Sequence, residues 1–291
     1  MARSAGVPKR QLLHLTEAGA LRRLVRGLYV ASHVPDDLHL RATALSLVVP
    51  PGCFVADRTA AWLHGAGAAM APGDHLRTPP VTVVNHTGDG RIENAIARGG
   101  ERFILPRDLT YVHGIFVTTP LRTALDLGRV RNHDLALAAI DQMLRLGAFS
   151  KEELLAEVER FRGHRWVTTL RCVAPLGDGR AASFGESALR LRWYAAGLPE
   201  PELQIPVLDD RGLVAYYIDL GLEAERFGAE YDGEAYDSSP EQQEHDEARR
   251  TWLRTERAYR IEVFVKENVF GPRQDAEHRL RRARSEHLRG R

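Results

Sequence analysis

Apolar and polar positions alternate along this chain with two periods, and the switches between them outline the architecture. Residues 7 to 30, VPKRQLLHLTEAGALRRLVRGLYV, predict one or two short helices followed by a strand. Leu21, Leu24 and Val25 fall on one helical face, Arg22, Arg23 and Arg26 project elsewhere, and Gly27 breaks the helix before LYV. Residues 35 to 49 predict a helix, with Asp36 and Asp37 at its positive N-terminal end and Pro50, Pro51 and Gly52 stopping it. A further helix is expected over 57 to 65, with Trp62 and Leu63 in the core and His64 packed or capping rather than a ligand. VTVV at 81 to 84 and GIFVTTP at 114 to 120 have strand patterns; Thr119 and Pro120 fit the N-cap and first residue of the next helix.

From 133 to 174 the period is helical, in three segments, and Ser150 with Glu153 forms an S-x-x-E capping box. This part is expected to be scaffold. Gly177 to Gly179, between Pro175 and Arg180, is the expected linker. Beyond it a helix over 183 to 196 precedes LQIPVL and LVAYYIDL, which the polar turn DDRG joins, and a third strand arm over 226 to 232. Ser239 and Pro240 open a long helix to about Arg257, followed by YRIEVF. The helix, three strands, helix, strand series predicts a mixed sheet with flanking helices, αβββαβ. The expected fold class is multidomain α+β / α/β. A winged-helix-like module occupies 1–75, a mixed then helical middle 76–178, and a restriction-endonuclease-like αβββαβ domain 181–291.

At 291 residues, 44% of them hydrophobic and 27% charged, the chain has the composition of an ordinary soluble protein of two or three domains. No apolar run approaches the roughly 18 to 20 residues a membrane span needs, and MARSAGVPKRQ is too polar for a secretory core. A cytoplasmic protein with no membrane partner is expected, its two cysteines, Cys53 and Cys172, buried free thiols. The net charge of +1 conceals segregation: residues 200 to 247 hold 15 acids against 2 bases, whereas 248 to 291 hold 13 bases against 6 acids. An acidic centre with basic flanks suits a metal-dependent nuclease, and equally a solvated surface or a site for a basic partner. The arginine-rich end, 271 to 291, is expected to be a solvated helix or a disordered tail that touches phosphates nonspecifically.

The candidate chemistry lies in AYYIDLGLEAERFGAEYDGEAY, 215 to 236, where carboxylates sit inside apolar strand runs. In a hairpin Glu230 and Asp232 share a face, with Asp219 near the end of the other arm. Three carboxylates brought together repel unless a divalent cation joins them, and hard oxygen ligands suit Mg²⁺ or Mn²⁺, which can activate a water for phosphodiester hydrolysis. The alternative is that Asp219 closes a strand and the other two flank a turn at Gly233, all solvated. Glu186 is either a fourth acid of the site or, with Ser183, a capping box. Arg249 stabilises phosphate charge or pairs with Asp246 or Glu256, and Arg250 lies beside it as a second nucleic-acid contact.

Residues 183 to 265 resemble the very-short-patch-repair-like endonucleases of the PD-(D/E)XK fold. The pieces are GES at 185 to 187, AGLPEPELQIPV at 196 to 207, IDLG at 218 to 221, EYDG at 230 to 233, then HDEARRTWL and YRIEVF. The resemblance implies metal binding by Asp219 and Glu230, with Asp232 close by. The usual lysine is replaced by Asp232, and a histidine that often follows is Tyr236. Both departures remove an obvious proton acceptor.

Residues 7 to 30 also look like the second half of a winged helix-turn-helix, which would put a recognition helix in the major groove and Arg22, Arg23 and Arg26 on phosphates or guanines. RLVRGLYV, RATALSLVVPPG, DRTAAWLHG and VTTPLRTALDLGR resemble, in that order, the N-terminal half of AbiEi-like type IV antitoxins. That resemblance implies a winged helix that binds inverted repeats to repress its operon, and a nucleotidyltransferase toxin as partner. Only about twenty residues precede Leu21, so most of the first winged-helix segment is missing. Two functions are therefore expected: a DNA-binding, Mg- or Mn-dependent endonuclease, or a non-catalytic antitoxin and repressor.

Overall fold

A computed structural model describes residues 7–25, 28–66, 81–86, 92–93, 97–233, 240–272 and 274–290. Arg26 and Tyr236 lie outside them. The first helix, α1 (Lys9–Glu17), ends at Gly19, whose φ of +71° is a left-handed stop that glycine adopts without strain. The next residues form a strand, β1 (Leu21–Val25), paired antiparallel with β2 (Leu28–Ala31) in the register Leu21↔Ala31, Arg23↔Tyr29. The helix expected over Leu21 to Val25 is thus a hairpin arm. Gly19 had already closed the helix, and Arg22 and Arg23 lie on the hairpin.

Helix α2 (Leu38–Ser46) starts where Asp37 accepts the N–H of Leu40 at 2.7 Å. A sheet then gathers β3 (Phe54–Val55), β4 (Val81–His86), β5 (Ile92–Glu93), β6 (Ala97–Gly99), β7 (Glu101–Arg102), β8 (Leu109–Val112) and β9 (Ile115–Thr118), with α3 (Asp57–Leu63) between β3 and β4. Its order is β5-β6-β4-β3-β9-β8, with β7 also on β4. The two residues of β3, which no pattern announced, sit at the centre, antiparallel to β4 and parallel to β9. Val55, Leu63, Val81, Val83, Ile115 and Val117 close the core there. His64 ends α3 as the expected packed cap, its Nε2 2.7 Å from the Thr118 carbonyl, and burial lowers its pKa.

Thr119 and Pro120 open α4 (Pro120–Leu127) as expected. Three helices follow: α5 (His133–Arg145), α6 (Lys151–Val158) and α7 (Val167–Val173). Ser150 Oγ accepts the Glu153 N–H at 3.1 Å while the Glu153 carboxylate accepts the Ser150 N–H at 2.7 Å, so the capping box is complete. The glycines expected to form a linker are instead places of close approach. A Cβ at Gly177 would lie 2.7 Å from Ile140, and one at Gly179 2.9 Å from the Arg145 backbone nitrogen. They let the chain fold back onto α5, where α8 (Phe184–Ala195) docks through Arg190–Asp141 (2.6 Å) and Arg192–Asp134 (2.7 Å).

The last sheet holds β10 (Glu202–Leu208), β11 (Val214–Leu222), β12 (Phe227–Tyr231) and, after α9 (Pro240–Glu256), β13 (Arg260–Phe264). Its order is β10-β11-β12-β13; the first two pairings are antiparallel and the last parallel. From α8 to β13 the chain therefore runs αβββαβ. One face packs on α8 through Leu189, Trp193, Leu220 and Phe227, the other through Ile205, Ile218, Leu253 and Tyr259. A short α10 (Lys266–Val269) leads to α11 (Ala276–Arg289). That arginine-rich helix is not a solvated tail. Leu280 and Ala283 are buried, Arg284 pairs with Glu225 at 2.6 Å, and Arg279 donates to the Val263 carbonyl at 3.0 Å. Cys53 is buried as expected; Cys172 is exposed on α7, whose apolar residues face the helical core. Among the described residues no helix is long and apolar enough to cross a membrane.

Candidate functional site

The register Leu220↔Ala229 brings Asp219 beside Glu230, because residues facing each other across an antiparallel pair share a side. The Tyr231 N–H donates to Asp219 Oδ2 at 2.9 Å. Helix α8 adds a third acid. Ser183 accepts the Glu186 N–H at 3.1 Å, and the Glu186 carboxylate accepts the Ala182 N–H at 2.9 Å and the Gln204 amide at 3.1 Å. Ser183 thus caps α8, but the Glu186 carboxylate bonds the residue before the cap instead of closing the expected capping box, and it faces Asp219. Gly185 makes the approach possible, since a Cβ there would lie 2.0 Å from the Tyr231 ring.

Gln204 is out of the ordinary for a strand, with φ +53°. Its neighbours Leu203 and Ile205 belong to opposite cores although residues two apart in a regular strand share a face. The ladder has no pairing at the level of Gln204 and Asp219, and this local reversal aims the amide at Glu186. Sequence reasoning missed Gln204 and Tyr216; a glutamine within LQIPVL was the one available signal.

Burial, the charge of Glu186 and then that of Glu230 push the Asp219 carboxyl up to about 7, against the Tyr231 N–H and the Arg249 charge. Glu230 is 5% exposed. It receives Arg249 at 3.4 Å and lies beside the Tyr216 hydroxyl, and the Arg249 guanidinium lies 4.1 Å from the centre of the Tyr216 ring. Burial and the Glu230 charge raise the Tyr216 hydroxyl pKa. Asp232 is anchored by its N–H to the Phe264 carbonyl at 2.8 Å and pairs with Arg250 at 3.5 Å. Each acid of the EYDG run therefore meets an arginine of α9, Arg249 at Glu230 and Arg250 at Asp232; the side chain of Asp246, the expected alternative partner of Arg249, lies outside the described residues.

Among the described residues, no three His, Cys, Asp or Glu side chains converge as a metal-ion cluster. The carboxylate oxygens of Asp219 and Glu230 are the donor chemistry that suits a hard cation. Arg250 brings positive charge to Asp232, at the place of the missing lysine, but a guanidinium takes up no proton at neutral pH.

At the other end of the chain, Arg22 donates to the Val34 carbonyl at 2.8 Å and Arg23 is exposed on β1. As consecutive strand residues the two point to opposite faces of the hairpin, which α1 packs against and which is far in sequence from the acids.

The central segment has a known relationship. Residues 51–176 match the AbiEi antitoxin C-terminal domain. The resemblance read from the sequence was to the N-terminal half of such antitoxins; the match corrects it to the C-terminal domain and takes in α5, α6 and α7, which the sequence pattern suggests are scaffold. Two proteins of Mycobacterium tuberculosis, "Uncharacterized protein Rv2248" of strain H37Rv and "Uncharacterized protein MT2308" of strain CDC 1551, are each 30% identical over 241 residues, covering 83% of this chain and 84% of theirs. The chain belongs to one family with these mycobacterial proteins. The domain match ends at residue 176, so the nuclease-like reading of 183 to 265 rests on its residues and strand order alone.

Proposed function

We propose that this protein is a DNA-binding antitoxin and repressor. Its α1–β1–β2 module binds the operator, and its 51–176 domain engages a nucleotidyltransferase toxin. The domain match carries this reading. The exposed Arg23, on a hairpin next to a short helix, would make a phosphate contact of the kind a wing makes, with Arg22 holding the hairpin through the Val34 carbonyl. A reporter driven by the chain's own upstream region tests it. Repression by the wild type and relief by Arg22→Gln with Arg23→Gln is expected; equal expression with and without the wild type rejects it.

A second reading, metal-dependent phosphodiester hydrolysis by the C-terminal domain, is favoured by one observation: Asp219 stands beside Glu186 and Glu230, and burial together with their charges pushes its carboxyl up to about 7. Asp219 and Glu230 would hold Mg²⁺ or Mn²⁺, with Asp232 assisting and Arg249 next to the developing charge. The bound cation would supply an activated water. Nicking of supercoiled plasmid in Mn²⁺ and not in EDTA, lost in Asp219→Ala with Glu230→Ala, is the expected result; equal nicking by both proteins removes it.

A further inference from the structure

Between α9, β13 and α11 lies a cleft of about 620 Å³ whose walls carry Arg250, Arg254, Arg260 and His287 around Tyr259, with Glu262 as the acid. Its volume is that of sites enclosing a molecule of nucleotide size. The basic side chains are not all committed to protein partners. Arg260 is held by Glu262 (3.2 Å) and Glu286 (2.8 Å), and His287 by the Glu225 carbonyl (2.7 Å). Arg254 is exposed and has no ion pair among the described residues. The buried Nε of Arg250 has no hydrogen-bond partner among them.

Two features say what such a cleft recognises. The Tyr259 ring, the aromatic of the lining, is 3% exposed and has the Arg226 guanidinium over it at 5.1 Å, so it offers no platform for stacking a base. Guanidinium groups without a stacking surface read phosphates rather than bases. Arg250 also joins the cleft to the acid site through Asp232, and Arg254 stands one helical turn further away, about 6 Å along the axis. A polyanion approaching the acidic 200 to 247 region meets these cations first.

We infer that this cleft binds the phosphate backbone of a nucleic acid and leads it along α9 toward Asp232. The inference rests on the nucleic-acid reading of the chain but on neither its repressor activity nor catalysis. Short labelled oligothymidylate, titrated against the full chain by fluorescence anisotropy in EDTA over a salt series, tests it. Arg254→Glu is expected to weaken binding severalfold and to lower the salt slope by about 0.7, the share of the one phosphate that Arg254 neutralises. Arg281→Glu, which makes the same charge change on the solvent side of α11, is expected to leave that slope unchanged. Equal weakening in both variants, or in neither, overturns the proposal. So does loss of ATP or inorganic phosphate binding in Arg254→Glu with oligonucleotide binding intact, which would make this a small-phosphate site. Duplex retardation measured alongside separates the failures. A protein that binds neither duplex nor strand refutes the nucleic-acid reading, whereas one that binds duplex but whose strand binding ignores Arg254 refutes the cleft alone.

Discussion

Acids buried or half-buried occur in two regions of the molecule, on opposite terms. In the 51–176 domain Asp126 is held by Arg102 (2.8 Å), Arg122 (2.9 Å) and Arg129, and Asp108 by Arg122 (2.8 Å) and Arg160 (2.7 Å). Three of these guanidinium groups also lie over the Phe161 ring. In the C-terminal domain Asp219 has one backbone N–H and faces two other carboxylates. The first arrangement is closed: every negative charge has its cation, and the network fixes α4 against the sheet and α6. The second has a surplus of negative charge that a proton or a cation can relieve. Burial alone therefore does not mark a functional acid; the ratio of partners does.

The comparison can be broken most sharply at Arg122. Arg122→Ala leaves Asp108 and Asp126 short of a partner in the interior and is expected to cost about 3–5 kcal/mol in urea unfolding. A cost below about 1 kcal/mol would show the network to be ornamental. Next comes Asp219. Its folded pKa near 7 lies above the unfolded value of 3.8, so the folded state holds the proton more tightly, and its contribution to stability is present below about pH 4 and lost as pH rises to 7. Asp219→Asn should flatten that slope and raise stability at pH 8 by up to about 4 kcal/mol, less where solvent reaches the carboxyl. An unchanged pH profile would place the surplus charge elsewhere. If a cation relieves the surplus, Mn²⁺ at a hundredfold its Kd adds about 2.7 kcal/mol to the wild type and nothing to Asp219→Asn with Glu230→Gln. The smallest effect belongs to the capping box: Ser150→Ala should cost about 1 kcal/mol without touching DNA binding.

What the sequence made legible follows from how local each signal is. Helices α5 and α6 declared themselves through period and caps, because Ser150 and Glu153 are three residues apart. LRRLV at 21 to 25 fits a helical face and an alternating strand equally, and the arbiter was Gly19, two residues upstream. The junction at Gly177 and Gly179 has linker composition, yet its meaning comes from Ile140 and Arg145, remote in sequence. The tail arginines were misread for the same reason: the partner of Arg284 is Glu225, 59 residues away. At the candidate site, carboxylates inside apolar strands pointed to Asp219 and Glu230. Gln204 stayed hidden because its left-handed backbone is imposed by the sheet, and the pairing of Arg249 because Glu230 lies on another element.

On the proposed function, duplex DNA is bound through the N-terminal hairpin, independently of the acid site. Fluorescence anisotropy with the chain's own upstream DNA in EDTA tests this directly, comparing wild type, Arg22→Gln with Arg23→Gln, and Asp219→Ala with Glu230→Ala. Equal binding by wild type and the acid variant, with a salt slope in the arginine variant reduced by about 0.9 for each phosphate no longer neutralised, is the predicted result. Binding that requires Mn²⁺ and disappears with the acids, while the arginine variant binds normally, would contradict it.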